Sequence, residues 1–407
     1  MEVLYRTCAG MDVHKDSIVV CVRSMKGSKI EREVQTFGTT TSELIKLGDW
    51  LEGRGCTHAV IEATGVYWKP VWHLLAERIE LILANAHEVR NVPGRKSDMN
   101  DATWLADLLA HGLVRASFVP PEPIADLRDL TRTRKQLARE IVEHTQRIQK
   151  VLETCNIKLA SVATDILGKS GRAMLEAIVD GEDDPNKLAE LSRGTLRAKR
   201  GLLVEALRGR VRAHHRLLIS THLRMIDSLR EVIQAIELQV EDVLRPFAEA
   251  VALLQTIPGV GPTAAQTIIA EVGDDMTRFP TAGHLRSWAG LCPRMDESAG
   301  KRRSTRLRKG NVWLKTMLVQ CAWASIRKEG YLRALFLRIR GRQGAKKAIV
   351  AVAAAILTAV HGILRDLEPY RDLGAEHFNR HDRQRVASRL ARRIRSLGYE
   401  IEMRPAA

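Results

Sequence analysis

The first 115 or so residues switch repeatedly between two hydrophobic periods, and this switching restricts the fold more than any other feature of the chain. Apolar runs over about 5–23, 58–62 and 80–84 read as strands, the first of them as a hairpin, and a third strand fits Glu31–Phe37. Helical spacing runs from Thr41 or Ser42 to Leu51 and from about Val66 to Arg78. A third helix opens at Lys96-Ser97-Asp98, with Ser97 as its N-cap and Gly112 as its stop. The predicted order is three strands, helix, strand, helix, strand, helix, which is an α/β domain.

Four acids fall at the ends of these elements. Asp12 follows the first strand in Gly10-Met11-Asp12-Val13-His14-Lys15, and Glu62 ends the run His58-Ala59-Val60-Ile61-Glu62. Asp98 and Asp101 are three residues apart, which puts their Cβ atoms roughly 5–6 Å apart on one helix face. Taken alone, two acids in a first turn serve the helix dipole equally well. The upstream acids tilt the balance, because an acid closing a buried strand is costly unless something pairs with it. Carboxylates gathered this way usually hold hard divalent cations, and Mg²⁺ is the ordinary choice for phosphate chemistry.

A chain of 407 residues is more than one core normally serves, so two or three domains are expected. The net charge of +16 favours a polyanionic partner, nucleic acid before an acidic membrane. Six cysteines at positions 8, 21, 56, 155, 292 and 321 show no metal spacing and read as reduced thiols of a cytosolic protein. No signal peptide is expected at the N-terminus. The apolar run 348–364 is short for a membrane span and reads as a buried core helix.

Beyond the linker signal Val119-Pro120-Pro121-Glu122-Pro123, residues from Ala125 to about Leu159 predict a long amphipathic helix, possible as a coiled coil. A second long helix is predicted from about Leu202 to Val243, the two forming an antiparallel hairpin or a dimerising arm. Eight Lys/Arg between Arg193 and Arg216 suit either a solvated face or a phosphate-binding one. Ile257-Pro258-Gly259-Val260-Gly261 between helical patterns resembles a helix-hairpin-helix. In that motif Gly259 and Gly261 let backbone N–H groups approach a phosphate. A plain helix–helix turn is the alternative. Ser298 precedes a basic cluster of Lys301, Arg302, Arg303, Arg306, Arg308 and Lys309. A serine there either contacts phosphate or attacks it. The tail carries seven Arg between Arg380 and Arg395 and reads as a basic helix or a disordered arm.

Taken in order, Gly10-Met11-Asp12-Val13-His14-Lys15, Ile61-Glu62-Ala63-Thr64-Gly65, Lys96-Ser97-Asp98-Met99-Asn100-Asp101-Ala102, Ile257-Pro258-Gly259-Val260-Gly261 and Gly290-Leu291-Cys292-Pro293 with Ser298-Ala299-Gly300-Lys301 resemble the DEDD transposases of insertion sequences. These are bridge-RNA-guided recombinases, and the resemblance reaches to about residue 368. It implies a RuvC-like, ribonuclease H-like domain over 1–118, with Asp12, Glu62, Asp98 and Asp101 binding Mg²⁺. It implies a helical coiled-coil oligomerisation region over 119–250, and a mainly α transposase domain over 251–368. A basic tail over 369–407 would follow. Ser298 would be the nucleophile, with Ser304 the nearest competitor. The family pattern has Ser-Ser-Gly before a basic residue, where this chain has Glu297-Ser298-Ala299-Gly300-Lys301. The implied activity is Mg²⁺-dependent, RNA-guided cleavage and exchange of donor and target DNA through a phosphoserine link. The implied setting is a homo-oligomer, dimer or tetramer, with no membrane, in the bacterial cytoplasm at the nucleoid. The alternative is a metal-dependent nuclease of Holliday-junction type using water.

Overall fold

The computed structural model describes residues 3–27, 29–63, 65–85, 89, 101–293, 296–298, 301–304, 306–380 and 383–401. The chain divides into two compact units, Met1–Val119 and Pro120–Ala407.

In the first unit, β1 (Thr7–Val13), β2 (Ser17–Lys26) and β3 (Lys29–Gly38) form an antiparallel meander, followed by α1 (Thr41–Gly53). Next come β4 (His58–Glu62), α2 (Trp68–Leu75), β5 (Glu80–Ala84) and α3 (Asp101–Ala110). The sheet order is β3-β2-β1-β4-β5, with β1, β4 and β5 parallel. This is the mixed α/β sheet and the element order the sequence pattern predicts. The expected opening of the third helix, with Ser97 and Asp98, lies outside the described residues.

Side chains of successive strand residues point to opposite faces. Ala9, Met11, Val13, Ala59 and Ile61 enter a core with Leu44, Leu47 and Leu51 of α1 and Val71 and Leu75 of α2. Cys8 and Val60 enter a second core, with Trp104, Leu105, Leu108 and Leu109 of α3. Gly10 is what lets α3 lie so close to the sheet. A Cβ there would stand 2.2 Å from the Ala102 carbonyl oxygen and 2.5 Å from the Ala106 nitrogen. The Asp107 carboxylate ties the same helix to the meander, accepting from buried Arg23 at 3.0 Å and from Arg32 at 3.1 Å.

The second unit opens with α4 (Glu122–Thr154), Pro123 being tolerated in its first turn. It continues through α5 (Lys169–Asp180), α6 (Arg200–Ala206) and α7 (Ala213–Val243). Helices α4 and α7 pack together within one chain, antiparallel, with His144 meeting His222. The single helix expected from about Leu202 to Val243 is instead broken between α6 and α7. The break turns on Gly209, where a Cβ would stand 2.3 Å from the Cys155 carbonyl oxygen. That carbonyl accepts from the Arg210 N–H at 2.9 Å. Within the basic stretch, Arg216 is committed to structure, donating both to Asp183 and to the Ile178 carbonyl.

Then come α8 (Ala248–Leu254), α9 (Pro262–Val272) and α10 (Ala282–Trp288). A two-stranded ribbon follows, β6 (Asp296–Ser298) and β7 (Lys301–Ser304), and then α11 (Val312–Ser325), α12 (Tyr331–Gln343) and α13 (Ala345–Asp366). Helix α13 contains the apolar run and is long and apolar enough to cross a membrane by composition. In the structure it is the core of this region. Ala348, Val352, Ala353, Ile356, Leu357 and Val360 are fully buried. The tail returns to this core, with the Tyr370 N–H on Thr256 and the Tyr331 N–H on Asp372. It ends in a basic helix, α14 (Arg383–Arg395).

Candidate active site

Two groups of residues carry the expected chemistry, one in each unit. In the first unit, parallel pairing aligns Met11 with Ile61, so Asp12 and Glu62 are the next residues on adjacent strands. Both lie at the C-terminal ends of these strands. By strand alternation both share the face of Cys8 and Val60, the face covered by α3. The helix runs against the direction of β1. Cys8 Sγ donates to the Ala106 carbonyl at 3.5 Å, whereas Gly10 abuts Ala102. The start of α3, at Asp101, therefore lies at the Asp12 end of the strand. Sheet and helix thus bring Asp12, Glu62 and Asp101 to one end and one face.

Glu62 is 7% exposed. Asp12 is 19% exposed and lies 3.2 Å from His14 Nε2. Among the described residues no three carboxylate, thiol or imidazole groups converge as a metal cluster, and Asp98 lies outside the described residues. Burial pushes the thiol of Cys8, on the same face, up to about 12, and its Sγ donates to the Ala106 carbonyl. The donor set at this end is carboxylate oxygen, which suits a hard divalent cation.

In the second unit Ser298 occupies the last position of β6, in register with Lys301 of β7. The sequence suggests a basic loop; the structure makes it a short ribbon. A bridge between Pro293 and Leu307 extends the ribbon towards its base. Two glycines close that base. A Cβ on Gly310 would stand 2.4 Å from the Gly290 nitrogen, and one on Gly290 (φ 72°) 2.8 Å from the Arg308 carbonyl. Lys301, Arg306, Arg308 and Lys309 are exposed, whereas the side chains of Arg302 and Arg303 lie outside the described residues. The hydroxyl of Ser304, the rival serine, accepts from the Arg306 N–H at 3.2 Å.

The glycine turn between α8 and α9 divides in function. Gly259 has φ 86°, and a Cβ there would meet the Cys321 carbonyl at 2.4 Å, so packing alone requires glycine. Gly261 faces open space ahead of α9.

The sequence reading missed a buried network under the ribbon. Glu271 is fully buried on α9 and accepts a forked pair from Arg132 at 2.8 and 2.7 Å. Asn311 Nδ2 donates to it at 2.5 Å, while the Asn311 side-chain oxygen caps α11 by accepting from the Leu314 N–H at 3.0 Å. Arg128 adds bonds to the Ala270 and Glu271 carbonyls at 3.0 and 2.8 Å. The signal was the spacing of Arg128, Arg132 and Lys135, which gives one basic face on an otherwise amphipathic helix.

Two transposase family models match this chain, and they do so in order. The DEDD transposase model of the IS110 group covers residues 9–157, and so spans Asp12, Glu62, Asp98 and Asp101. The model described as transposase of the IS116/IS110/IS902 family covers residues 251–337, spanning Gly259, Gly261, Ser298 and the basic ribbon. The chain belongs to the IS110 family of transposases. Among curated relatives, the transposase for insertion sequence element IS1111A of Coxiella burnetii is 34% identical over 127 residues, 29% of this chain and 34% of that protein. The insertion element IS110 uncharacterized 43.6 kDa protein of Streptomyces coelicolor is 33% identical over 116 residues, 28% of each chain. The chain thus spans about a third of the length of the curated relatives it matches.

Proposed function

We propose that this chain is an insertion-sequence transposase that cuts and exchanges DNA strands under the guidance of a structured RNA. The observation carrying the proposal is the alignment of Asp12 with Glu62 on adjacent parallel strands, at the end where α3 begins with Asp101. Asp12, Glu62, Asp98 and Asp101 would hold Mg²⁺, which would supply Lewis-acid neutralisation of the scissile phosphate.

The remaining work falls to the chain's own groups. Carboxylates fixed at strand ends hold their positions without reorganising during reaction. Ser298 attacks phosphorus through Oγ. A serine–phosphate bond forms as the bond to the sugar oxygen breaks, and that oxygen leaves as a hydroxyl with the proton the serine gives up. The reverse transfer to a second strand rejoins DNA without net hydrolysis. Lys301 and the arginines after it neutralise phosphate charge around the serine. Gly261, open at the start of α9, admits a phosphate to backbone N–H groups in helix-hairpin-helix fashion. The α4–α7 arm would serve oligomerisation as a coiled coil, giving a dimer or tetramer in the bacterial cytoplasm.

The test is an end-labelled DNA substrate incubated with Mg²⁺ and run on a denaturing gel. Label that stays on the wild-type protein but not on Ser298→Ala supports the serine route. Label released as free DNA means that water attacks, as in a junction nuclease. RNA copurifying with the protein is sequenced alongside. One discrete structured species supports guidance, and a random cellular mixture contradicts it.

A further inference from the structure

Beside the Glu271 network lies a cavity of about 260 Å³ between α4, α7, α9 and α11. Its inner wall carries Arg134 and Thr267, each 7% exposed, and its mouth carries exposed Glu237, Thr263 and Gln320. Three cations and two carboxylates line it, and their pairing is uneven. Arg132 is taken up by Glu271, which Asn311 also serves. Arg134 donates to the neutral Gln266 amide at 2.8 Å, and the charge of Glu237 acts on it without an ion pair among the described residues.

Lys135 is left over. Its ammonium nitrogen is shut off from solvent and has no hydrogen-bond partner among the described residues. It stands 5.9 Å from the centroid of the Trp313 ring, a contact far weaker than the bonds a buried ammonium needs. Burial lowers the lysine's pKa, and only the field of Glu271, already spent on arginine, opposes this. Met317 and Ile233 complete an apolar side next to Trp313. A pocket with an unsatisfied ammonium and a second cation whose bond goes to an amide, both among the described residues, is suited to a small tetrahedral anion.

We propose that this pocket binds a phosphate group, with Lys135 and Arg134 as its charged donors and Gln320 at its entrance. The chemistry is the same whether the group is free phosphate or a phosphate of a nucleic-acid strand, and the experiment separates these sources. The site stands independently of the acidic end of the N-terminal sheet and of Ser298.

The full-length protein is titrated calorimetrically in chloride buffer with inorganic phosphate. In parallel it is titrated, at 0.5 M salt to suppress diffuse binding, with a short single-stranded oligonucleotide that either carries or lacks a 5′-phosphate. The expected result is saturable one-site binding in at least one arm, weakened about tenfold or more in Lys135→Met. Lys135→Met should also melt higher than wild type without phosphate, because it removes a buried unpaired charge. Binding of inorganic phosphate alone assigns the pocket to the free ion. Binding that needs the oligonucleotide assigns it to a strand. Equal affinity of wild type and Lys135→Met in both arms overturns the proposal and leaves adventitious binding to the basic surface. Gln320→Glu repeats the comparison should Lys135→Met fail to fold. It places a repelling charge at the exposed mouth and should weaken the same binding, whereas unchanged binding there also overturns the proposal.

Discussion

Asp12 and Glu62 leave strands whose neighbours are fully buried on both faces, whereas Ser298 leaves a two-stranded ribbon whose described basic side chains are exposed. Met11, Val60 and Ile61 are inaccessible to solvent, and α3 rests directly on the Gly10 backbone. An isolated pair of strands has no such core beneath it and is marginal by itself. The ribbon is instead fixed from below, by the Gly290–Gly310 contact and by Asn311 on buried Glu271. One candidate group is thus held by packing, and the other by a few specific contacts at its root.

The largest expected effect concerns the packed group. Asp12→Asn and Glu62→Gln keep shape but remove charge from residues already held in place, so folding should survive. Strand cleavage in Mg²⁺ should fall by at least about 10⁴-fold, the loss of several kcal/mol of charge neutralisation. Cleavage within tenfold of wild type in either variant would remove this end of the sheet from the chemistry.

This contrast also accounts for what could be read from the sequence. A strand packed on both faces announces itself as a continuous apolar run, so β1, β2, β4 and β5 and the odd placement of Glu62 at the end of one were visible, whereas β3 is exposed over most of its length and carries no such run. The register that sets Glu62 beside Asp12 is a long-range pairing, which periodicity does not carry. The ribbon was invisible as strand because Asp296–Ser298 and Lys301–Ser304 are short and polar. Their pairing is closed at its root by a contact between Gly290 and Gly310, which hydrophobic periodicity does not register. The break at Gly209 escaped because it depends on a carbonyl more than fifty residues away. Family resemblance named Ser298; local pattern left it between phosphate contact and nucleophile.

A second, slightly smaller effect compares the two buried anchors. Asp107→Ala strands Arg23, which is 1% exposed, and should cost about 3–5 kcal/mol in denaturant unfolding of the N-terminal unit. Glu271→Gln strands Arg132, which is 32% exposed and free to turn towards water, while Arg128, 13% exposed and 3.5 Å from the same carboxylate, keeps its bonds to the Ala270 and Glu271 carbonyls, so the cost should be visibly lower. Equal losses would mean that the ribbon's anchor is as deeply built as that of the sheet.

Gly310→Ala tests the ribbon's root directly. The added Cβ must displace the Gly290 backbone, shifting the ribbon without touching any basic side chain. Displacement of a reacting group by about 1 Å costs on the order of 10²-fold in rate. Covalent capture of labelled DNA should drop by that factor while divalent-metal binding stays unchanged. A loss of metal binding as well would mean that the two sites do not respond separately.

The smallest effect is a titration in the helical arm. His144 and His222 share a 3.0 Å contact between ring nitrogens across the α4–α7 pair. Burial, then His144 and Arg147, lower the pKa of His222 below its ordinary 6.5. The unfolded chain therefore takes up the proton first, so the contribution of this pair is whole above pH 6.5 and is lost as pH falls below it. Partial exposure screens the charges, so the loss should stay under about 1 kcal/mol. Amide exchange, normalised to the intrinsic rate at each pH, should quicken at pH 5 against pH 8 along α4 and α7 near this contact and leave β1 and β4 unmoved. His222→Gln should abolish that difference, because the amide keeps a hydrogen bond across the helices and cannot take up the proton. Equal quickening in the sheet would trace the acid sensitivity to its carboxylate end instead, and would break the contrast between a packed site and a tethered one.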